Sequence, residues 1–340
     1  MVYQHIYHTI DMQTAGEPTR IVIAGVPFIK GHTMAEKRCL LMEKYDYIRT
    51  TLMHEPRGHA NMFGAIITEP IHPDAHMGVV FMDSGGYLAM CGHGSIGVAT
   101  AALEMGLVPC QEPETEVVMD TPAGLVRARV RVEDGRTCNV TITMVPSYLE
   151  RSQVKLEVPG VGDILTDIAF GGNFFALVDA HQLGLPIHLK CLPELIQKGM
   201  AIRRAANEQI SIQHPLEPQI NTIDLVEIYE DLPGPELGHR NVVVFGQGQV
   251  DRSPCGTGTC AMMATLHANM RLGLKETFVN ESILGTRFTG RLLRQEQISS
   301  LMAVVPEIVG SANVTGFQQF VVDVNDPLKI GFLFSNGALG

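Results

Sequence analysis

The sequence predicts an α/β (α+β) chain made of two related halves, and three observations carry that prediction. The pattern Cys-Gly-x-Gly occurs twice, as Cys91-Gly92-His93-Gly94-Ser95 and Cys255-Gly256-Thr257-Gly258-Thr259, the copies lying nearly half of the 340 residues apart. Each copy leads through a small Gly-rich turn into a helix, expected over Ile96 to Met105 and Ala261 to Met270. The same series of elements precedes and follows both cysteines. A length of 340 residues also exceeds one typical domain of about 150 residues.

In the first half, Met34 to Met53 reads as one helix, with Leu41, Tyr45, Ile48 and Leu52 at helical spacing. His54-Glu55-Pro56 ends it, because proline terminates helices. Strands are expected at Phe63 to Thr68 and Gly78 to Met82, then a turn at Gly85-Gly86, then Cys91. The second half repeats the order: a helix over Leu195 to Gln209, a break at His214-Pro215, and strands at Thr222 to Tyr229 and Asn241 to Phe245. A turn then runs through Asp251 and Pro254 to Cys255. Phe81 and Phe245 each stand ten residues before their cysteine. Further strands follow each helix, Thr121 to Val130 and Ile283 to Leu293. The halves are expected to divide as 1–150 and 151–340, the break falling in Val145 to Val161, with the final strand free to return to the first half. Asp231 to Arg240, rich in Pro and Gly, reads as an inserted surface loop.

Composition narrows the function classes. A hydrophobic content of 45% with 18% charged residues describes a globular chain. The net charge of −11 argues against nucleic acid or an anionic membrane as partner. No apolar run approaches the 18 residues of a spanning helix, and Met1 to Gly16 does not read as a secretory signal. Seven cysteines, an odd number without short paired spacings, fit a reducing cytoplasmic setting.

The two cysteine motifs carry the chemistry. A thiolate is the reactive form of cysteine, and a helix N-terminus favours it. Free N–H groups in a first helical turn bind anions, and glycines admit a ligand close to the backbone. Gly92, His93 and Gly94, with Gly256, Thr257 and Gly258, are therefore candidates to hold a carboxylate. One cysteine would remove the hydrogen of the adjacent carbon while the other delivers a proton from the opposite face, inverting it. His93 is expected to reach the same ligand, and Asp251 to pair with its amine. Cys39, Cys110, Cys138 and Cys191 are expected to be buried small hydrophobes, and Cys260 a core residue close enough to Cys255 to make oxidation conceivable. His54-Glu55-Pro56-Arg57-Gly58-His59 is not a zinc helix, since Pro56 and Gly58 break it and the histidines are wrongly spaced. Gly246-Gln247-Gly248 reads as a turn, not a dinucleotide loop. No metal or cofactor is expected.

At these residues the sequence resembles the proline racemase family, related in fold to diaminopimelate epimerase. The resemblance covers nearly the whole chain, through Asp11 to Ile23, His54 to His59, Met90 to Ser95 and Asp251 to Thr259. It implies two pseudo-symmetric halves, each a curved sheet around a central helix, with a site in the cleft between them that closes over its substrate. It implies no pyridoxal phosphate, no metal and a homodimer. Cys91 and Cys255 match the two acid/base cysteines; His93 and Asp251 match residues at the substrate amine. Gly92, Gly256 and Thr257 match the carboxylate-binding turn, and Phe63, Phe81 and Phe245 the aromatic walls. Relatives that dehydrate 3-hydroxyproline carry threonine in place of the second cysteine, so Cys255 argues against dehydration. Relatives that epimerise 4-hydroxyproline tend to have a polar residue where Phe63 stands. A buried hydroxyl lacking a partner is disfavoured by about 1–3 kcal/mol, so the expected activity is interconversion of L- and D-proline, with 4-hydroxyproline 2-epimerisation as the alternative. A non-enzymatic amino-acid-binding protein and a thiol-redox protein using Cys255 and Cys260 are the rivals from other classes.

Overall fold

The computed structural model describes residues 3–218 and 220–333. Contacts divide the chain into two units, one of residues through Ile142 together with those from Gly310 onward, the other Thr143–Val309. Five α-helices are found among the described residues: α1 (Met34–Lys44), α2 (Asp46–Met53), α3 (Gly92–Glu104), α4 (Leu192–Gln209) and α5 (Gly256–Ala268).

In the first unit, strands Tyr3–Thr14 and Glu17–Ala24 form a hairpin. Its turn uses Ala15 and Gly16, both at positive φ (50° and 102°), which is the handedness that tight hairpins require. The strand Ala312–Asp323 returns to pair antiparallel with Tyr3–Thr14. After α1 and α2 the chain enters Phe63–Thr68, parallel to Glu17–Ala24, and then Met77–Asp83, antiparallel to it. Following α3, Glu114–Thr121 runs parallel to Met77–Asp83 and continues into the meander Gly124–Glu133 and Arg136–Thr143.

The second unit reproduces this pairing strand for strand. Tyr148–Val158 pairs antiparallel with Gly162–Phe170, as the returning strand does with Tyr3–Thr14, and Gly162–Phe170 pairs with Phe174–Asp179. After α4, Ile223–Asp231 lies parallel to Phe174–Asp179 and antiparallel to Gly238–Phe245. Beyond α5, Thr277–Ser282 is parallel to Gly238–Phe245 and opens the meander Arg287–Ile298 and Leu301–Gly310. Parallel pairs need a crossover, which the helices supply.

Each unit wraps its sheet around one helix. Every residue of α3 from Gly92 to Leu103 is buried, and its neighbours include Tyr3–Thr14, Glu17–Ala24, Gly124–Glu133 and Ala312–Asp323. α5 is buried at all but a few positions and touches strands Tyr148–Val158, Gly162–Phe170 and Arg287–Ile298. A helix apolar on all sides is stable only when enclosed, and that enclosure offsets the poor helix propensity of glycines at its start. α4 instead covers the outer face of its sheet, burying Leu195, Gly199 and Ile202 in a core with Val226, Ile228 and Val244. Among the described residues, no helix is long and apolar enough to cross a membrane.

Several expectations need correction. Met34 to Met53 is two helices, because Tyr45 leaves helical geometry at φ −127° and ψ 18°; no Gly or Pro marks the break. The helices after the cysteines start at Gly92 and Gly256, not at Ile96 and Ala261, so the glycines form the first turn itself. Asp231 to Arg240 is not all loop. The flanking strands extend to Asp231 and from Gly238, and buried His239 stacks on Tyr229 at 4.8 Å between ring centres. Cys39, Cys110 and Cys138 are exposed and Cys191 half-buried, not core residues; Cys39 is on the outer face of α1, Cys110 follows α3, Cys138 is at an exposed position of the strand Arg136–Thr143 and Cys191 precedes α4. Cys260 is fully buried, as expected. Gly246 and Gly248 form a turn, both at positive φ.

Candidate active site

The first helix start is built by its fourth residue. Ser95 returns both its N–H (3.0 Å) and its hydroxyl (2.6 Å) to the Cys91 carbonyl. The same bonds recur in the second unit, where Thr259 donates its N–H (2.8 Å) and hydroxyl (2.7 Å) to the Cys255 carbonyl. A hydroxyl residue four positions into the helix thus holds each cysteine as the cap, through back-bonding that Ser and Thr favour. Sequence reasoning gave Ser95 and Thr259 no role; their shared place in the repeat was the available signal.

Around Cys91 the expected residues gather. Its Sγ lies 3.2 Å from His93 Nδ1. The His93 ring meets Phe63 edge-on at 4.4 Å, and Phe63 stands 6.2 Å from Phe81. Gly94 is needed here, since a Cβ would fall 2.8 Å from Phe81 and 3.0 Å from Phe63. Phe81 is fully buried and backs the helix start, while Cys91 itself is half-buried in extended conformation, with φ −149°.

Cys255 is held differently. It is buried, and its φ of +65° is a conformation non-glycine residues rarely adopt. Its Sγ accepts the Gly258 N–H at 3.4 Å and lies 3.6 Å from the Thr257 hydroxyl. Its N–H donates to Ser253 Oγ at 3.1 Å, and Ser253 in turn donates both its hydroxyl (2.7 Å) and its N–H (2.8 Å) to buried Asp251. Asp251 thereby sits in a chain of bonds leading to the cysteine. Phe245 ends its strand, half-buried, opposite Gln249. Gly171 lets a neighbouring turn approach: a Cβ there would lie 2.1 Å from the Thr257 carbonyl oxygen and 2.6 Å from the Ala261 nitrogen.

The helix start was expected to favour a thiolate, yet the Cys255 thiol is pushed well above its ordinary pKa. Burial is the chief cause, joined by the negative fields of Asp251 and Glu227; the Gly258 N–H and Thr257 hydroxyl oppose them. Desolvation and two nearby acids outweigh one helix dipole. The net effect favours the neutral thiol at Cys255 over the thiolate. Glu227, which sequence reasoning missed, is wholly buried, and burial raises its carboxyl to about 7. Among the described residues no group of His, Cys, Asp and Glu is arranged to hold a metal ion.

Fold and site together define an α/β protein of duplicated units, each opening its central helix on a cysteine. Comparison with known proteins narrows that class. The proline racemase family pattern matches residues 9–333, and the chain belongs to that family. It is 52% identical over 333 residues to a proline racemase of Clostridioides difficile, spanning 98% of this chain and 99% of that one. It is 46% identical over 331 residues to a 4-hydroxyproline 2-epimerase of Streptosporangium roseum, covering 97% and 99%. Among solved structures, the hydroxyproline epimerase of Agrobacterium vitis with bound trans-4-hydroxy-L-proline superposes with a TM-score of 0.91 at 35% identity, covering 99% and 97%.

Proposed function

We propose that this chain is an isomerase that interconverts L- and D-proline by proton transfer at Cα between two cysteines, Cys91 and Cys255. The observation that carries the reading is the repeated helix start, in which Ser95 and Thr259 fix a cysteine as cap in both units. The 52% identity to a proline racemase over nearly the full chain supports the substrate.

In one direction a thiolate at Cys91 takes the Cα hydrogen as a proton, and the electron pair passes into the substrate carboxylate. The Cys255 thiol then gives its proton to the opposite face. The enzyme is left with Cys91 as thiol and Cys255 as thiolate, ready for the other enantiomer, and no net proton is consumed. First-turn amides of Gly92, Gly256 and Thr257 hold the carboxylate, because the delocalised charge develops there. His93 and Asp251 meet the substrate amine. Phe63, Phe81 and Phe245 exclude water, which strengthens each charge interaction.

A second reading, 4-hydroxyproline 2-epimerisation by the same steps, draws on the 46% and 35% identities to such epimerases. Phe63 favours proline, since its ring packs on His93 and Phe81 and offers a hydroxyl no partner. The test is polarimetry and solvent-deuterium uptake with L-proline and trans-4-hydroxy-L-proline in parallel. Proline is expected to turn over faster, and Cys91→Ser and Cys255→Ser are each expected to lower racemisation at least a hundredfold, in line with loss of an acid/base group. Near-normal turnover in either variant would refute the two-base assignment. The same reading includes a cytoplasmic homodimer. Sedimentation is expected to give twice the chain mass of 37.1 kDa; a monomer would remove that part.

A further inference from the structure

The two halves share a pairing scheme, and departures from it isolate what is particular to one cysteine. The residue twelve places before each cysteine is Val79 in the first unit and Val243 in the second. Val79 pairs across the sheet with Ile67, whereas Val243 pairs with Glu227. Fourteen places before the cysteines the repeat has Met77 and Asn241. On the parallel strand that follows, two residues before the partners of those positions, it has Val117 and Asn280. A carboxyl and two amides thus stand around α5 where the first unit has three apolar side chains.

These groups are interior and joined. Glu227, Asn241 and Asn280 each have essentially no exposed surface. Both amides donate to Glu227 Oε1, at 2.7 Å and 3.4 Å, and both also donate to the Pro254 carbonyl, at 2.8 Å and 3.3 Å. The acid is therefore tied to the peptide that leads into Cys255. Asn280 also donates to the Thr259 hydroxyl at 3.0 Å, the group that caps back onto Cys255. Glu227 Oε2 has no hydrogen-bond partner among the described residues. It lies 2.5 Å from where a Gly258 Cβ would be, so this glycine is the opening that admits a carboxylate against the first turn of α5. The Gly258 N–H is the one that points at Cys255 Sγ.

A buried acid with a bare oxygen is costly to keep, and packing gives no reason for one here, since the repeat fills the same places with Ile67, Met77 and Val117. We propose that Glu227 is a positioning residue for the second cysteine, whose carboxylate, set beneath the Gly258 turn by Asn241 and Asn280, keeps the Cys255 thiol protonated until substrate arrives. This rests on the reading of Cys255 as an acid/base group. The other titratable groups in the same field are Asp251, which acts on both Glu227 and Cys255, and Cys260, whose thiol burial and Glu227 both push up. Glu227 ionises near 7, before the thiol, so its charge is in place when the thiol would otherwise lose its proton. In the first unit the matching place is Ile67, and the cysteines are made unequal.

The test is the pH dependence of Cys255 alkylation by iodoacetamide, followed by mass spectrometry of the Cys255 peptide, because only the thiolate reacts. Glu227→Gln keeps the shape and removes the charge. Its midpoint is expected to move down by about one pH unit or more, the effect of deleting a close like charge, with the alkaline limb of the racemisation profile moving the same way. Glu227→Asp retains the charge and is expected to stay near the native midpoint. A purely structural role would lower melting temperature and leave the midpoint in place, and an unmoved midpoint in a folded Glu227→Gln protein overturns the proposal. Should that variant fail to fold, infrared spectra of native protein labelled in its glutamates decide. A neutral-carboxyl band lost ahead of Cys255 alkylation supports the proposal; one that persists through the thiol's titration overturns it. Failure of the underlying reading looks different, because Cys255→Ser would then keep its turnover whatever the alkylation midpoint does.

Discussion

Cys91 and Cys255 open the same kind of helix, yet one is extended and half-buried and the other is buried at φ +65°. Position was legible from the motif, because a repeated Cys-Gly-x-Gly before a helical run has few other uses. Proton state was not. It depends on Glu227 and Asp251, and Glu227 reaches Cys255 only through sheet pairing that one strand's sequence cannot reveal. The exposed cysteines teach the same point: residue type favoured burial of Cys39, Cys110 and Cys138, but their place in the fold decided otherwise. Glu227 also has a thermodynamic signature. Its folded pKa is raised from 4.5 to about 7, mainly by burial. A raised folded value means that the stability it confers is complete below its unfolded pKa and is lost as pH rises through the folded one. The loss over that window is on the order of 3 kcal/mol. His239 acts oppositely, because burial holds it down to about 4 and its contribution disappears as pH falls. Thermal melts of native protein minus those of Glu227→Gln therefore isolate the acid. The difference is expected to turn against the native protein between about pH 4.5 and pH 7, and a flat difference would mean that Glu227 titrates normally.

At the scale of elements, the strand Phe63–Thr68, the Asn241 to Phe245 part of Gly238–Phe245 and most of α4 were evident from the sequence, while the helix starts were misjudged. Glycine's low propensity moved the expected starts downstream to Ile96 and Ala261. Enclosure by the sheet overrides propensity, as tertiary packing generally does, and the glycines are retained because side chains would strike neighbours. Gly171 shows this from outside the helix, its missing Cβ facing the Thr257 carbonyl at 2.1 Å and the Ala261 nitrogen at 2.6 Å. These are backbone atoms and cannot swing aside. Gly171→Ala is expected to destabilise the protein by about 1–3 kcal/mol through overpacking and to lower racemisation with it by displacing Thr257. Calorimetry and the proline assay together check it. An unchanged melting temperature would mean that the turn shifts freely.

For the molecule as a whole, the duplication read from two cysteines extends to every strand pair, including those the sequence did not suggest. The hairpin Tyr3–Thr14 with Glu17–Ala24 went unmarked because its alternation is interrupted by charged and threonine residues, and the strand expected over Thr121 to Val130 spans the turn between Glu114–Thr121 and Gly124–Glu133. Repetition was a better guide than propensity here, since a pattern found in one half marks its partner in the other. The strand Ala312–Asp323 completes the first unit from the far end of the chain. During synthesis on the ribosome, Thr143–Val309 therefore emerges with all its strands while the earlier-made unit still waits for its last. The segment Thr143–Val309 can mature first, and the nascent protein carries an unclosed hairpin edge along Tyr3–Thr14 until Ala312–Asp323 has been made.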